Sequence, residues 1–535
     1  LGLHLFSHLL FLSLKLFLII RKIWVDFLNM KPNFIQLFLM FLILFSAKPV
    51  VAQQNNWTTY RGDLQRTAFY TSFPSKPLKL LWRQEFWKEL TGPRAEVIVA
   101  DGLAFIGTYG GNFYALDSNT GQIKWVFKTG GPICHTAAYN KGVVFIGSMD
   151  GCLYALFAGS GRLKWRFEAE EGIWVAPTVC RGNVMFGDRA GNFFSVDESN
   201  GRLKWKFKTG DRILTTAAVT EDEEFVIFAS EDMHLYCMKI EDGSLIWKSR
   251  KLQGLSVRDY SPVIFSGLVF ITTNPVKDFH TILGEHEQML IKRTGFVGKD
   301  PRYIAGTPED IQKEQDFIIE FLKNNPSEQT FYTFRIRDGK EPWIAPILYT
   351  GGLHNPLTPP CVNKKTGEVF VHIRSAYGTW DGGGEVRSYT GFGKLDIQTG
   401  RVTLIDPAYP SKEPGRPPGA KDRPWMTFNY IGDETHTLSC SLQLLICNHQ
   451  GFIGALDLKT LLTERLYGKR DTYGGFYGPG NFGWENQGGI QKAKAVGQPF
   501  GIVNEWHGPA RSIASVAANK VYYNVGSQVL CLEEQ

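Results

Sequence analysis

Residues 114–125, YALDSNTGQIKW, pack a strand, a glycine turn and a second strand into one short stretch. The same hairpin is written again as YALFAGSGRLKW from Tyr154 to Trp165, FSVDESNGRLKW from Phe194 to Trp205 and YCMKIEDGSLIW from Tyr236 to Trp247. A chain of 535 residues has room for several ordinary domains. Internal repetition overrides that expectation, because a repeat array builds one body from many small units.

Alignment on Trp125, Trp165, Trp205 and Trp247 brings other positions into line. Gly121, Gly161, Gly201 and Gly243 fall in each turn, where a positive φ suits a residue without Cβ. Tyr114, Tyr154, Phe194 and Tyr236 hold one aromatic site, and Gly107, Gly147, Gly187 and Ala229 hold a small one, where neighbouring groups are expected to come close. Within EVIVADGLAFIGTYGGNFYALDSNTGQIKWVF the turn signals at Asp101-Gly102, Gly110-Gly111 and Thr120-Gly121 separate four short strands. Four antiparallel strands at a period near forty residues predict a propeller blade. One blade cannot cover both faces of its sheet, so the repeated Trp is expected to pack on the next blade.

Later copies are degraded. FYTFRIRDGKEPW keeps Tyr332, Gly339 and Trp343 and ends a fifth unit; GKLDIQTGRVTLI has Leu404 in place of Trp; GALDLKTLLTERL puts Arg465 there. The final strands, NKVYYNVGSQVLCLEE, lack an outer partner, and PLKLLWRQEF with Trp82 supplies one from the N-terminal side. The expected fold is therefore all-β: an eight-bladed propeller of four-stranded antiparallel blades whose ring is closed by both terminal regions, leaving no open sheet edge. Residues from about 274 to 329 interrupt the fifth unit and carry a helix signal, with Thr307 as N-cap, Pro308 in the first turn, and Ile311, Ile318 and Leu322 on one face. A helix packed on the blades and a lid over the channel are the two readings of it. His280, Glu285 and His286 beside it are read as surface residues.

Residues 1–52 are expected to be a leader: Met30-Lys31 makes a basic start, Leu37–Phe45 an apolar core, and KPVVAQQ a small-residue end that places cleavage before Gln53. Residues 53–535 are then one exported propeller domain, periplasmic or secreted, monomeric, with no transmembrane segment. The absence of Cys near the cleavage point argues against a lipoprotein. Outside the leader, acidic and basic residues nearly balance, which gives no footprint for nucleic acid. The eight cysteines follow no disulfide-scaffold or metal spacing; Cys440 and Cys447 flank one expected hairpin, as a pair in an oxidising compartment or as buried thiols.

The pattern Ala-x-Asp-x-x-Thr-Gly-x-x-x-Trp at Ala115–Trp125 resembles the repeat of the pyrroloquinoline-quinone (PQQ) propeller superfamily. That resemblance implies eight blades. The superfamily includes quinoprotein alcohol dehydrogenases and the propeller of outer-membrane protein assembly. The motif residues themselves hold turns and dock blades, and so identify no cofactor.

In a propeller, loops entering the innermost strands form one mouth of the central channel. Here they bring Arg94, Glu96, His135, Trp174, Asp211, Arg212, Arg258, Asp259, His354, Asn355, His436, His507 and Arg511 toward one opening. Four arginines and an indole suit a planar anion, bound by charge-assisted hydrogen bonds and stacking, or a protein partner. Local ion pairs with Glu96, Asp211 and Asp259 are the alternative. The resemblance to dehydrogenases implies a stacking Trp, a guanidinium, a Glu and Asn on calcium and an Asp base. Trp174, Arg258, Glu96, Asn355 and Asp259 are of those types, with Glu96, Asn355 and Asp259 the calcium set and Asp259 the base. The adjacent Cys-Cys pair of several such enzymes is missing. The expected function is an exported binding or interaction scaffold; a calcium- and PQQ-dependent alcohol or sugar dehydrogenase and an outer-membrane assembly factor are the alternatives.

Overall fold

The computed structural model describes residues 56–86, 88–92, 94–258, 260–276, 308–347, 358–375, 389–405, 437–449, 452–467, 469–470, 476–477, 512–525 and 528–535. They form eight antiparallel blades arranged as a propeller ring. In the first, Ile98–Ala100, Leu103–Gly107, Asn112–Asp117 and Ile123–Lys128 run from the innermost strand to the outermost. Blades two to four repeat that order from inner strands Ala138–Asn140, Thr178–Cys180 and Ala218–Val219. The remaining inner strands are Val263–Phe265, Cys361–Asn363, Thr437–Cys440 and Ser515–Ala517. Leu78–Glu85 pairs with the C-terminal strand Gln528–Glu534, so the eighth blade draws on both ends of the domain as the sequence leads one to expect.

The repeated Trp does what its spacing suggests. Each indole lies over the turn glycine of the following blade and donates Nε1 to a carbonyl there: Trp82 to Ser118, Trp125 to Ala158, Trp165 to Glu198, Trp205 to Ile240, Trp247 to Ile336 and Trp343 to Ile397. Gly201 under Trp165 has φ +74°, and a Cβ there would stand 2.6 Å from the ring. The second small position is explained too, since a Cβ on Gly107, Gly147 or Gly187 would lie 2.3–2.4 Å from Ile133, Ile173 or Ile213 in the following loop. The two requirements fade together. Leu404 replaces the Trp of blade six, and the turn of blade seven that would lie beneath it carries Leu461, at φ +59°, in place of glycine.

Replacing Trp165 by Ala is expected to cost about 3–5 kcal/mol in chemical denaturation, because an indole buried between blades leaves a cavity. Gly201→Ala alone should cost about 2 kcal/mol or more, from the positive φ and the clash. In the Trp165→Ala background only the φ part should remain. Additive losses would show that the pair does not dock.

The fifth blade departs from the expected pattern. Among the described residues it has three paired strands, Val263–Phe265, Leu268–Thr272 and Phe331–Arg335. Pro342 stands where an outer strand would run and brings no N–H to a ladder, yet Trp343 still reaches the next blade. The helix Pro308–Asn324 packs here. Ile318 and Leu322 are buried with Val263, Phe270, Val369 and Leu395, and the Gln315 amide pairs with both backbone groups of Val402 in the outer strand of blade six. Those contacts match the reading of a helix packed on the blades. Among the described residues no helix is long and apolar enough to cross a membrane. No disulfide joins Cys440 to Cys447, and both side chains are buried. His280, Glu285 and His286 lie outside the described residues.

Candidate binding site at the channel mouth

Residues 57–70, WTTYRGDLQRTAFY, precede the first blade strand and fill the channel at the level of the inner strands. Trp57 exchanges two backbone hydrogen bonds of 2.9 Å with Val99 of blade one. The carbonyls of Thr58, Leu64, Gln65, Thr67 and Ala68 accept the backbone N–H of Tyr139, Val219, Ile264, Val362 and Cys440, in blades two, four, five, six and seven. Arg66 donates to Thr178 Oγ1 of blade three at 2.7 Å, and Tyr70 Oη to the Ala514 carbonyl at the start of blade eight at 2.5 Å. Every blade contributes. The inner edge of a propeller offers a row of unpaired backbone groups, and this segment satisfies them from within the chain.

Tight turns fold the segment into the bore. Arg61, Arg66 and Ala68 take φ of 56°, 62° and 55°, unusual for residues with a Cβ and tolerated where surrounding contacts over-determine the backbone. Arg66 is wholly buried and donates to the carbonyls of Tyr60, Asp63 and Ala217 and to the hydroxyls of Thr59 and Thr178. Burial lowers its pKa to about 10, so it remains a cation at neutral pH. Arg61 binds the carbonyls of Arg66 and Pro360.

Two residues expected at the mouth are engaged by this segment. Glu96 is buried; its Oε2 accepts Trp57 Nε1 at 3.1 Å and the Arg61 backbone N–H at 2.8 Å. His135 meets the Tyr60 ring edge-on at 4.7 Å, and its Nδ1 accepts the Thr136 N–H. Trp174 and Arg258 form a second group. They enter blades three and five, and the guanidinium lies 4.5 Å from the indole centroid, spanning the entrance of blade four. Glu231, which the sequence did not single out, supports that arrangement by accepting Ser256 Oγ and the Val257 N–H beside Arg258, while its own N–H donates to the Arg212 carbonyl. Arg212 is half-exposed and sits 3.5 Å from Asp211. The Arg94 carbonyl lies 3.5 Å from Thr136 Oγ1. Asp259, His354, Asn355, His436, His507 and Arg511 lie outside the described residues.

Burial pushes the Glu96 carboxyl up to about 7 against an ordinary 4.5, and the hydrogen bonds from Trp57 and Arg61 only partly oppose it. The folded state therefore holds a proton that the unfolded chain releases. Stability from this group is full below about pH 4.5 and is lost as pH rises through about 7. Glu96→Gln should flatten that loss, by about 2–3 kcal/mol between about pH 5 and about pH 8. Equal slopes for the two proteins in denaturant titrations would contradict the assignment.

The chain is an eight-bladed propeller whose regular blades carry a PQQ-like repeat. The family model described as "Outer membrane protein assembly factor BamB" matches residues 78–206 and 128–275, the part that carries the regular repeats and under half of the chain. No curated protein matches in sequence. Among solved structures, a europium-containing methanol dehydrogenase is similar at 13% identity and TM-score 0.51, covering 90% of this chain and 98% of that one. A quinohemoprotein alcohol dehydrogenase from Comamonas testosteroni is similar at 11% and 0.50, covering 89% and 80%. BamB from Moraxella catarrhalis is similar at 12% and 0.47, covering 85% and 99%. At such identities the likeness to the two dehydrogenases is one of fold.

PQQ with calcium is the cofactor the resemblance implies for dehydrogenases. Glu96 as arranged does not fit a calcium ligand, since its carboxylate is buried against Trp57 and Arg61. Trp174 already carries Arg258 on its ring.

Proposed function

We propose that the protein is an exported binding scaffold, a plugged propeller that holds a partner or an anionic ligand at the mouth formed by the loops entering the inner strands. The observation that carries this reading is the segment 57–70, which hydrogen-bonds to all eight blades and engages Glu96 in the bore. A channel occupied by its own chain leaves recognition to the loops around it. There the Trp174–Arg258 stack, braced by Glu231, offers a fixed cation and an aromatic face. The description of the matched family model, an assembly factor, is a role of the same general kind.

The test is gel filtration after incubation with calcium and PQQ, alongside an alcohol panel with an artificial electron acceptor. The scaffold reading expects no retained quinone absorbance and no turnover. Stoichiometric retention with turnover would replace it by the dehydrogenase reading.

A further inference from the structure

Cys361, Cys440 and Cys447 gather at the interface of blades six and seven, and no role described so far uses them. Cys361 opens the inner strand of blade six and pairs with Phe370. In blade seven Cys440 pairs with Leu445, and Leu438 with Cys447, so Cys440 and Cys447 project from one face of that sheet. Cys361 and Cys440 are both fully buried in one apolar cluster at that interface, and after burial itself the neighbouring Cys361 is what holds the Cys440 thiol up. The strands that carry them are clamped by consecutive residues of the channel segment, Val362 N–H on Thr67 O at 2.9 Å and Cys440 N–H on Ala68 O at 3.0 Å. Asn363 Nδ2 adds a bond to the Ser441 carbonyl.

We infer that Cys361 and Cys440 are the site of an inter-blade disulfide, formed when the chain folds in an oxidising compartment, which staples blade six to blade seven. This interface lacks the indole-on-glycine dock used at six others, Leu404 and Leu461 standing in its place. A covalent link between inner strands supplies the missing tie. It closes a long loop running through blade six to the inner strand of blade seven, and a longer loop restricts the unfolded chain more than a short one. Cys447 is a poorer partner for Cys440. The two sit on adjacent strands two positions out of register, a diagonal separation longer than a disulfide spans without backbone movement.

The chemistry requires an external disulfide, carried by a thiol–disulfide oxidoreductase or by oxidised glutathione. One thiolate attacks it to give a mixed disulfide and the second displaces the carrier. Two S–H bonds are replaced by one S–S bond, and two electrons and two protons pass to the carrier, which leaves as the oxidoreductase dithiol or as two glutathione thiols. Burial holds the Cys440 thiol up, so attack within the closed ring is slow, and exchange proceeds while the two inner strands come together and are still open to the carrier.

The test is alkylation of the denatured, unreduced protein after production in an oxidising compartment, followed by peptide mass spectrometry. Six of the eight cysteines should alkylate, and a cross-linked peptide should join Cys361 to Cys440. The thermal midpoint should fall by several degrees on reduction in the parent and stay unchanged in Cys361→Ser. Alkylation of all eight, or a cross-link between any other pair, overturns the inference, and this readout on the parent protein stands even where the variant fails to fold.

Discussion

Deleting Leu78–Glu85 is expected to abolish the cooperative fold. The strand pairs with Gln528–Glu534 along its whole length, from Leu78 opposite Glu534 to Glu85 opposite Gln528. It is the outer strand of a blade whose other three strands come from the far end of the domain. Its loss also removes Trp82, buried over Gly121 and bonded to the Ser118 carbonyl, and so undocks the first blade from the last. The exposed edge of the C-terminal strand would present unpaired backbone groups, a template for aggregation. Size-exclusion chromatography and thermal unfolding should show aggregate and no sharp transition. A soluble monomer with an unchanged midpoint would mean that the ring does not close through this strand.

Arg66→Met should be the most damaging single substitution, at about 4–6 kcal/mol. Methionine keeps much of the volume, so the loss reads hydrogen bonding more than cavity. The guanidinium serves three carbonyls and two hydroxyls in a buried site, and each acceptor stranded there costs about 1–3 kcal/mol. Removing the cation also relieves its own desolvation, visible in its lowered pKa, which returns about 3 kcal/mol and leaves the net near the stated range. Chemical denaturation checks this. A loss below about 1 kcal/mol would mean that the segment contributes little to the ring.

The propeller was legible because its constraints act on side chains at fixed positions. An indole over a glycine with positive φ demands two residue types at a constant spacing, and Trp125 with Gly161 or Trp165 with Gly201 state that demand directly. Closure by Trp82 was legible for the same reason. The channel segment was not, because it works through the carbonyls of Thr58, Leu64, Gln65, Thr67 and Ala68, and a backbone acceptor leaves no mark on residue identity. Its one sequence signal is composition: two arginines and several aromatics where a plain linker would carry Gly, Ser or Pro. The same gap explains Glu96. Its type suits a calcium ligand, and only the fold reveals that Trp57 and Arg61 take its carboxylate. Trp174 and Arg258 stand in loops entering different blades, and their stacking depends on the span of blade four between them. Pro342 carried a readable warning about the outer strand of blade five, weaker than the Trp343 beside it.

Backbone hydrogen exchange at the inner strands tests the plugged ring most directly. The amides of Tyr139, Val219, Ile264, Val362 and Cys440 donate only inward, to carbonyls of residues 58–68. If the segment fills the channel, these amides should exchange as slowly as the blade core, through global unfolding, and peptides covering 57–70 should be protected with them. Exchange of these five amides at the rate of exposed loops, with the rest of the blades protected, would contradict the account.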